Sequence, residues 1–117
     1  MKRILSLLAL CAAAGAMLVA VVPAGAGTTA TTVKVTAKEF KFVLSRKSAP
    51  HGKVIFKVVN KGKVKHDFKI AGKKTVMLKP GKSATLTVTL KKGKKYPYVC
   101  TVPGHAAAGM KGTFRST

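Results

Sequence analysis

The chain has 117 residues and a formal net charge of +21, from 23 lysines and arginines against two acidic residues. A chain of this length folds around one modest hydrophobic core, which excludes a second domain of any size. The basic charge favours acidic proteins, an anionic membrane surface or polyanions as partners. Specific nucleic-acid recognition is disfavoured, because no aromatic residues alternate with the lysines to stack on bases.

The first 26 residues have the pattern of an export signal. A basic start precedes an apolar run over residues 4–22, and Ala24-Gly25-Ala26 has the small residues of a cleavage site. The sequence therefore predicts a signal peptide at 1–26, a mature domain at 27–117 and a periplasmic or extracellular location. An uncleaved membrane anchor is the alternative, because the apolar run approaches the length of a bilayer span.

Beyond residue 27, apolar and polar residues often alternate with a period of two, and helical periodicity is nearly absent. The strongest turn signal is Lys79-Pro80-Gly81-Lys82, because Pro presets φ and Gly accepts the positive φ that follows. Short strands separated by turns every eight to twelve residues indicate an all-β sandwich of about seven to eight strands. In chain order, the predicted strands lie at residues 33–37, 40–44, 54–59, 66–70, 84–90, 96–100 and 111–115.

The last third of the chain offers three metal ligands at equal spacing. His105 follows Cys100 by five residues, Met110 follows His105 by five, and His66 lies upstream. Two imidazoles, a thiolate and a weak, distant thioether are the ligands of a mononuclear blue-copper centre. Zinc fits less well, because neither a carboxylate nor a third nearby histidine is offered as a fourth ligand. The sequence therefore predicts one copper ion of type 1.

Two further residues are judged from their position in the chain. Cys11 lies inside the predicted signal peptide, so Cys100 has no partner for a disulfide in the mature domain and is either a free thiol or a ligand. His51 precedes the strand at 54–59, whose far end leads toward His66. At about 3.3 Å per residue, His51 is expected roughly 20 Å from the metal and is assigned no role.

Several short motifs resemble those of the small, single-domain cupredoxins of the plastocyanin/azurin type, over roughly residues 33–117. The ligand loop has the form Cys-x4-His-x4-Met and is most similar to that of the auracyanins and rusticyanin, being longer than the plastocyanin loop between Cys and His. The matching residues are Asn60-x-Gly62 before His66, Leu78-x-Pro80-Gly81, Tyr96-x-Tyr98-x-Cys100, Pro103-Gly104-His105 and Gly109-Met110-x-Gly112.

The resemblance implies a Greek-key sandwich with copper at one end. It implies His66, Cys100 and His105 as strong equatorial ligands and Met110 as the long axial ligand. Asp67 departs from the family pattern, in which Asn commonly follows the first histidine. We expect Asp67 to hydrogen-bond to Thr101, and its carboxylate to favour Cu(II) and lower the reduction potential.

These features predict an exported electron carrier that cycles between Cu(I) and Cu(II) through the exposed edge of His105. The uncharged stretches at 102–104 and 106–109 would form an apolar contact surface, and the lysines would gather acidic redox partners in transient encounters. A monomer is expected.

Two other function classes compete with the electron carrier. Extracytoplasmic copper storage, delivery or tolerance is the alternative, although only Met77 and Met110 remain in the mature domain for a Met-rich site. A basic module for acidic polymers or membranes, with a structural metal, is the second rival. No catalytic residues are predicted, because three histidines cannot build a further copper centre and four ligands leave no open position for a substrate.

Overall fold

The computed structural model describes residues 29–117, which form nine β-strands and no helix. No segment of this part is therefore a helix long and apolar enough to cross a membrane. The predicted signal peptide at 1–26 lies outside the described residues and stays a prediction. The strands are β1 (Thr31–Lys38), β2 (Lys41–Leu44), β3 (Ser48–Ala49), β4 (Gly52–Asn60), β5 (Lys69–Ile70), β6 (Lys73–Lys74), β7 (Ser83–Leu90), β8 (Lys94–Val99) and β9 (Lys111–Ser116).

The strands form two sheets, one ordered β2-β1-β4-β7 and the other β3-β9-β8-β5-β6. The β1–β4 and β3–β9 pairs are parallel, and the other pairs are antiparallel. This arrangement is a Greek-key β-sandwich, which confirms the predicted fold class.

Alternation along the strands builds the core between the sheets. In β1, Val33, Val35 and Ala37 are buried, while the residues between them face outward. Each buried Val, Leu, Ile or Phe side chain contributes about 1.5–3 kcal/mol relative to leaving it exposed. The main cluster joins both sheets through Val33, Val35, Leu44, Ala49, Val54, Phe56, Val58, Phe68, Ile70, Leu78, Leu86, Val88, Leu90, Tyr98 and Phe114.

The strand count differs from the prediction because three of the nine strands have only two residues. The predicted strand at 66–70 is reduced to β5, since His66 forms an isolated bridge with Leu78. The Phe68 N–H donates to the side chain of Thr75 rather than to a strand ladder. The predicted strand at 40–44 likewise begins one residue late, because Phe40 belongs to the turn between β1 and β2.

One end of the sandwich is organised by Asn60, at the end of β4. Its amide nitrogen donates to the carbonyl oxygens of Val64 and Leu78, both at 2.8 Å, and its Oδ1 accepts from Gly62 N. These bonds hold the 61–66 loop against the segment that pairs with His66. At the other end of β4, His51 Nδ1 lies 3.0 Å from the carbonyl oxygen of Thr117.

Candidate metal centre

The structure brings His66, Cys100 and His105 together at the Asn60 end of the sandwich. Their donor atoms all lie within 4.8 Å of one another. The two Nδ1 atoms are 3.1 Å apart, and Cys100 Sγ lies 3.9 Å from His66 Nδ1 and 3.6 Å from His105 Nδ1. His66 and Cys100 are buried, whereas His105 is half-buried.

The loop after β8 is folded back on itself by its own backbone. Cys100 N donates to Met110 O at 3.0 Å, and Met110 N donates to His105 O at 3.0 Å. Gly104, with φ of +85°, permits the turn that precedes His105. These bonds place three of the candidate ligands on one short, closed loop.

Met110 is fully buried and lies in a small cluster with Cys100 and Ala37. Its position beside Cys100 follows from the antiparallel pairing of β8 with β9, whose last pair is Val99 with Lys111. The buried Met110 side chain, which carries a thioether, therefore lies beside Cys100.

The donor atoms fit one metal ion. First-row ions bond to nitrogen at about 2.0–2.1 Å and to thiolate at about 2.3 Å, so donors around one ion lie about 3 to 4 Å apart. All three distances between the His66, Cys100 and His105 donors fall in this range. Two imidazole nitrogens, a thiolate and a thioether suit copper in both oxidation states. His66, Cys100, His105 and Met110 would hold the ion.

Burial shifts the pKa values of two candidate ligands, Cys100 and His105. Burial is the main cause that raises the pKa of the Cys100 thiol above 9.0, so the metal-free thiol is protonated at neutral pH. Partial burial, and then the neighbouring His66 imidazole, lower the pKa of His105 below 6.5. His105 is therefore neutral at pH 7, with a nitrogen lone pair free to bind a metal.

Asp67 joins the two ligand-bearing segments. Its Oδ1 accepts a hydrogen bond from Thr101 N at 2.6 Å, and its Oδ2 accepts one from the Thr101 hydroxyl at 2.5 Å. The carboxylate is 1% exposed. It ties the residue after His66 to the residue after Cys100 and so links the two ligand-bearing segments.

Glu39, in the turn between β1 and β2, is a contact that the sequence analysis missed. Its Oε1 lies 3.2 Å from His66 Nε2, on the far side of the ring from the other donors. The backbone N–H of Val64, and then that of Lys63, lower the pKa of Glu39 from 4.5 to about 2, against the opposing effect of partial burial. The sequence offered one indication that Glu39 matters: it is one of only two acidic residues in the chain.

Phe40 is the second contact that was missed. Its ring centroid lies 5.1 Å from that of His105, in an edge-to-face arrangement at 70°, and its side chain is 43% exposed. Its place in an alternating run with Phe42 and Leu44 predicted a strand residue. The sequence held no signal that it lies against the ligand loop.

The chain matches the model of a family described as copper binding proteins, plastocyanin/azurin family, over residues 22–115. Auracyanin-B of Chloroflexus aurantiacus is 46% identical over 43 residues, which are 37% of this chain and 18% of that protein. The copper-resistant cuproprotein CopI of Vibrio cholerae is 32% identical over 82 residues, 52% of this chain and 48% of that protein. The chain thus spans less than half the length of these relatives.

Solved structures of auracyanins have the same fold as this chain. Auracyanin from Roseiflexus castenholzii superposes with a TM-score of 0.66 at 24% identity, covering 78% of this chain and 99% of that one. Auracyanin B gives a TM-score of 0.64 at 26% identity, covering 78% and 91%. The chain belongs to the plastocyanin/azurin family of copper-binding proteins.

Proposed function

We propose that this protein is an exported electron carrier built on one type 1 copper ion. Bound copper supplies a one-electron Cu(I)/Cu(II) couple. The observation that carries the proposal is the convergence of two imidazole nitrogens and a buried thiol within 4.8 Å. Met110, buried beside Cys100, would complete a set of four ligands. Such a set leaves no open position for a substrate, which favours a carrier over an enzyme.

Rigid ligands are what an electron carrier needs, because a site that hardly moves on gaining an electron exchanges it quickly. Cys100 and Met110 are joined through their backbones, and His66 is held by its bridge to Leu78. The burial of His66, Cys100 and Met110 also keeps water away from the ligand atoms.

His105 is the proposed exit for electrons, since it is the candidate ligand that reaches the surface. Uncharged residues surround it at 102–104 and 106–109, and the Phe40 ring extends this apolar contact surface. A redox partner resting on this contact surface would approach the ring closely.

The proposed partners are acidic redox proteins that dock transiently on a monomer. Lys61, Lys63 and Lys65 are exposed in the loop that leads to His66, beside the apolar contact surface. Their charges would attract an acidic protein from a distance, whereas the apolar contact fixes the final geometry. Small, weak interfaces suit such encounters. An anionic membrane surface would be attracted by the same field.

Export is proposed from the signal pattern of residues 1–26, in which a basic start, an apolar run and small residues at the cleavage site follow one another. Cleavage would leave the domain in the periplasm or outside the cell. If the segment remains as an anchor, the domain would be associated with the membrane.

Copper storage, delivery or tolerance is the second candidate function. It is favoured by similarity to two proteins named copper-resistant cuproprotein CopI, from Pseudomonas aeruginosa and Vibrio cholerae. Delivery differs from electron transfer in one property: a carrier keeps copper in both oxidation states, while a delivery protein releases it in one of them.

Voltammetry combined with chelator competition separates an electron carrier from a delivery protein. We expect a reversible one-electron wave, and retention of both Cu(I) and Cu(II) against chelators of moderate affinity. Cys100→Ser is the matched control, since it removes the thiolate and should abolish the wave. Rapid loss of Cu(I) to the chelator, with no reversible wave, would favour delivery and contradict the carrier.

A further inference from the structure

The two acidic residues of the chain both lie at the copper site. Against 23 lysines and arginines there are only Glu39 and Asp67. Asp67 bonds to Thr101, next to Cys100, while Glu39 bonds to the His66 side chain itself. Two isolated negative charges at the two buried ligands, in a chain otherwise so basic, indicate a role at the metal.

The position of Glu39 matches the needs of a metal-binding histidine. His66 Nδ1 faces Cys100 and His105, so Nε2 is the remaining ring nitrogen. When Nδ1 binds a metal, Nε2 carries the ring proton. A group that accepts a hydrogen bond from this N–H fixes the orientation of the ring and raises the basicity of Nδ1. Glu39 Oε1, 3.2 Å from Nε2, is that acceptor.

The carboxylate is held in place by the neighbouring loop. Its Oε1 accepts hydrogen bonds from Lys63 N at 2.6 Å and from Val64 N at 2.9 Å. Gly62 leaves the necessary room, because a Cβ there would overlap the Glu39 carboxylate. The side chain is 27% exposed while that of His66 is fully buried, so the charge lies between solvent and the ligand.

The turn between β1 and β2 also contacts the second histidine ligand, His105. The Phe40 ring contacts the His105 ring, and a Cβ at Gly109 would lie 2.9 Å from the Phe40 carbonyl oxygen. The turn between β1 and β2, which carries no copper ligand, therefore packs against both ligand-bearing loops.

We propose that Glu39 is a positioning residue of the copper centre. It holds the His66 ring with Nδ1 toward the metal, and its negative charge stabilises Cu(II) relative to Cu(I), which lowers the reduction potential. This inference deepens the proposed function and rests on its copper site, but it does not depend on which redox partner the protein meets.

The test compares Glu39→Gln with Lys41→Gln. The first substitution keeps the shape and an oxygen acceptor but removes the charge, whereas Lys41 is an exposed neighbour at the start of β2 whose loss also changes the net charge by one. We expect E39Q to raise the reduction potential by at least 59 mV, which is a tenfold change in the preference for Cu(I). K41Q should give a much smaller shift, of opposite sign. If E39Q and K41Q both keep the blue copper centre and shift the reduction potential by equal magnitudes, the proposal is overturned.

A second measurement needs no variant. In the Cu(I) form of the unaltered protein, nitrogen-15 NMR should find a His66 ring proton on Nε2 that exchanges slowly with water, because a carboxylate accepts it. A rapidly exchanging Nε2 proton, or a proton on Nδ1, would overturn the proposal even if E39Q failed to fold. Failure of the proposed function would be distinguishable from failure of this proposal, because the unaltered protein would then show no reversible voltammetric wave.

Discussion

At the scale of single residues, we expect the copper centre to be tuned by groups that do not bind the metal. Asp67 is buried and accepts two hydrogen bonds from Thr101. An amide keeps an acceptor for Thr101 N and removes the charge. We therefore expect Asp67→Asn to raise the reduction potential by roughly 60 mV, about tenfold toward Cu(I), with the fold intact. An unchanged or lower potential in the variant would contradict this role.

The protonation of the Cys100 thiol predicts that copper binding releases a proton. Burial raises the pKa of its thiol, so the metal-free protein carries the proton at pH 7, while ligation requires the thiolate. Copper binding should therefore release about one proton per ion at neutral pH, and the affinity should rise about tenfold per pH unit until the thiol pKa is reached. A titration in weak buffer measures the release. Cys100→Ser should release none, and a wild-type protein that also released none would exclude thiolate ligation.

At the scale of elements, the β8–β9 pair sets the spacing of Cys100 and Met110. Gly112 in β9 lies against Tyr98 in β8, where a Cβ would overlap the phenol ring. Gly112→Ala should destabilise the protein by about 1–3 kcal/mol, the usual effect of overpacking. Urea unfolding of the copper-free protein measures it, with Thr113→Ala, an exposed neighbour in the same strand, expected within about 0.5 kcal/mol of wild type. If Gly112→Ala proved as stable as Thr113→Ala, the sheet would have shifted to make room for the added Cβ, which would contradict the prediction.

What could be predicted from the sequence depended on whether the signal was local. The long strands β1, β4 and β7 bury one face, so their alternation is visible in the sequence. The ligand loop has a fixed spacing of residue types. The contact of Glu39 with His66 spans 27 residues and exists only because the β1–β2 turn meets the 61–66 loop in the folded molecule. β3 and β6 were missed for the related reason that strands of two residues have no period to detect.

At the scale of the whole molecule, the positive charge should control the encounter with redox partners. Two small oxidants test this effect, an anionic iron cyanide complex and a cationic cobalt ammine complex. Because salt shortens the Debye length from about 30 Å at 0.01 M to about 3 Å at 1 M, oxidation by the anion should slow at least roughly tenfold across this range. Stopped-flow absorbance measures both rates. Similar salt dependence for the two oxidants would mean that the field does not reach the electron exit.

The central claim is that His66, Cys100, His105 and Met110 form one type 1 copper site. The most direct measurement is the visible absorption spectrum of the purified protein after Cu(II) is added, beside that of Cys100→Ser. We expect an intense blue band from thiolate-to-copper charge transfer, which is lost in the variant. A colourless protein, or the faint band of nitrogen and oxygen ligands in both samples, would contradict it.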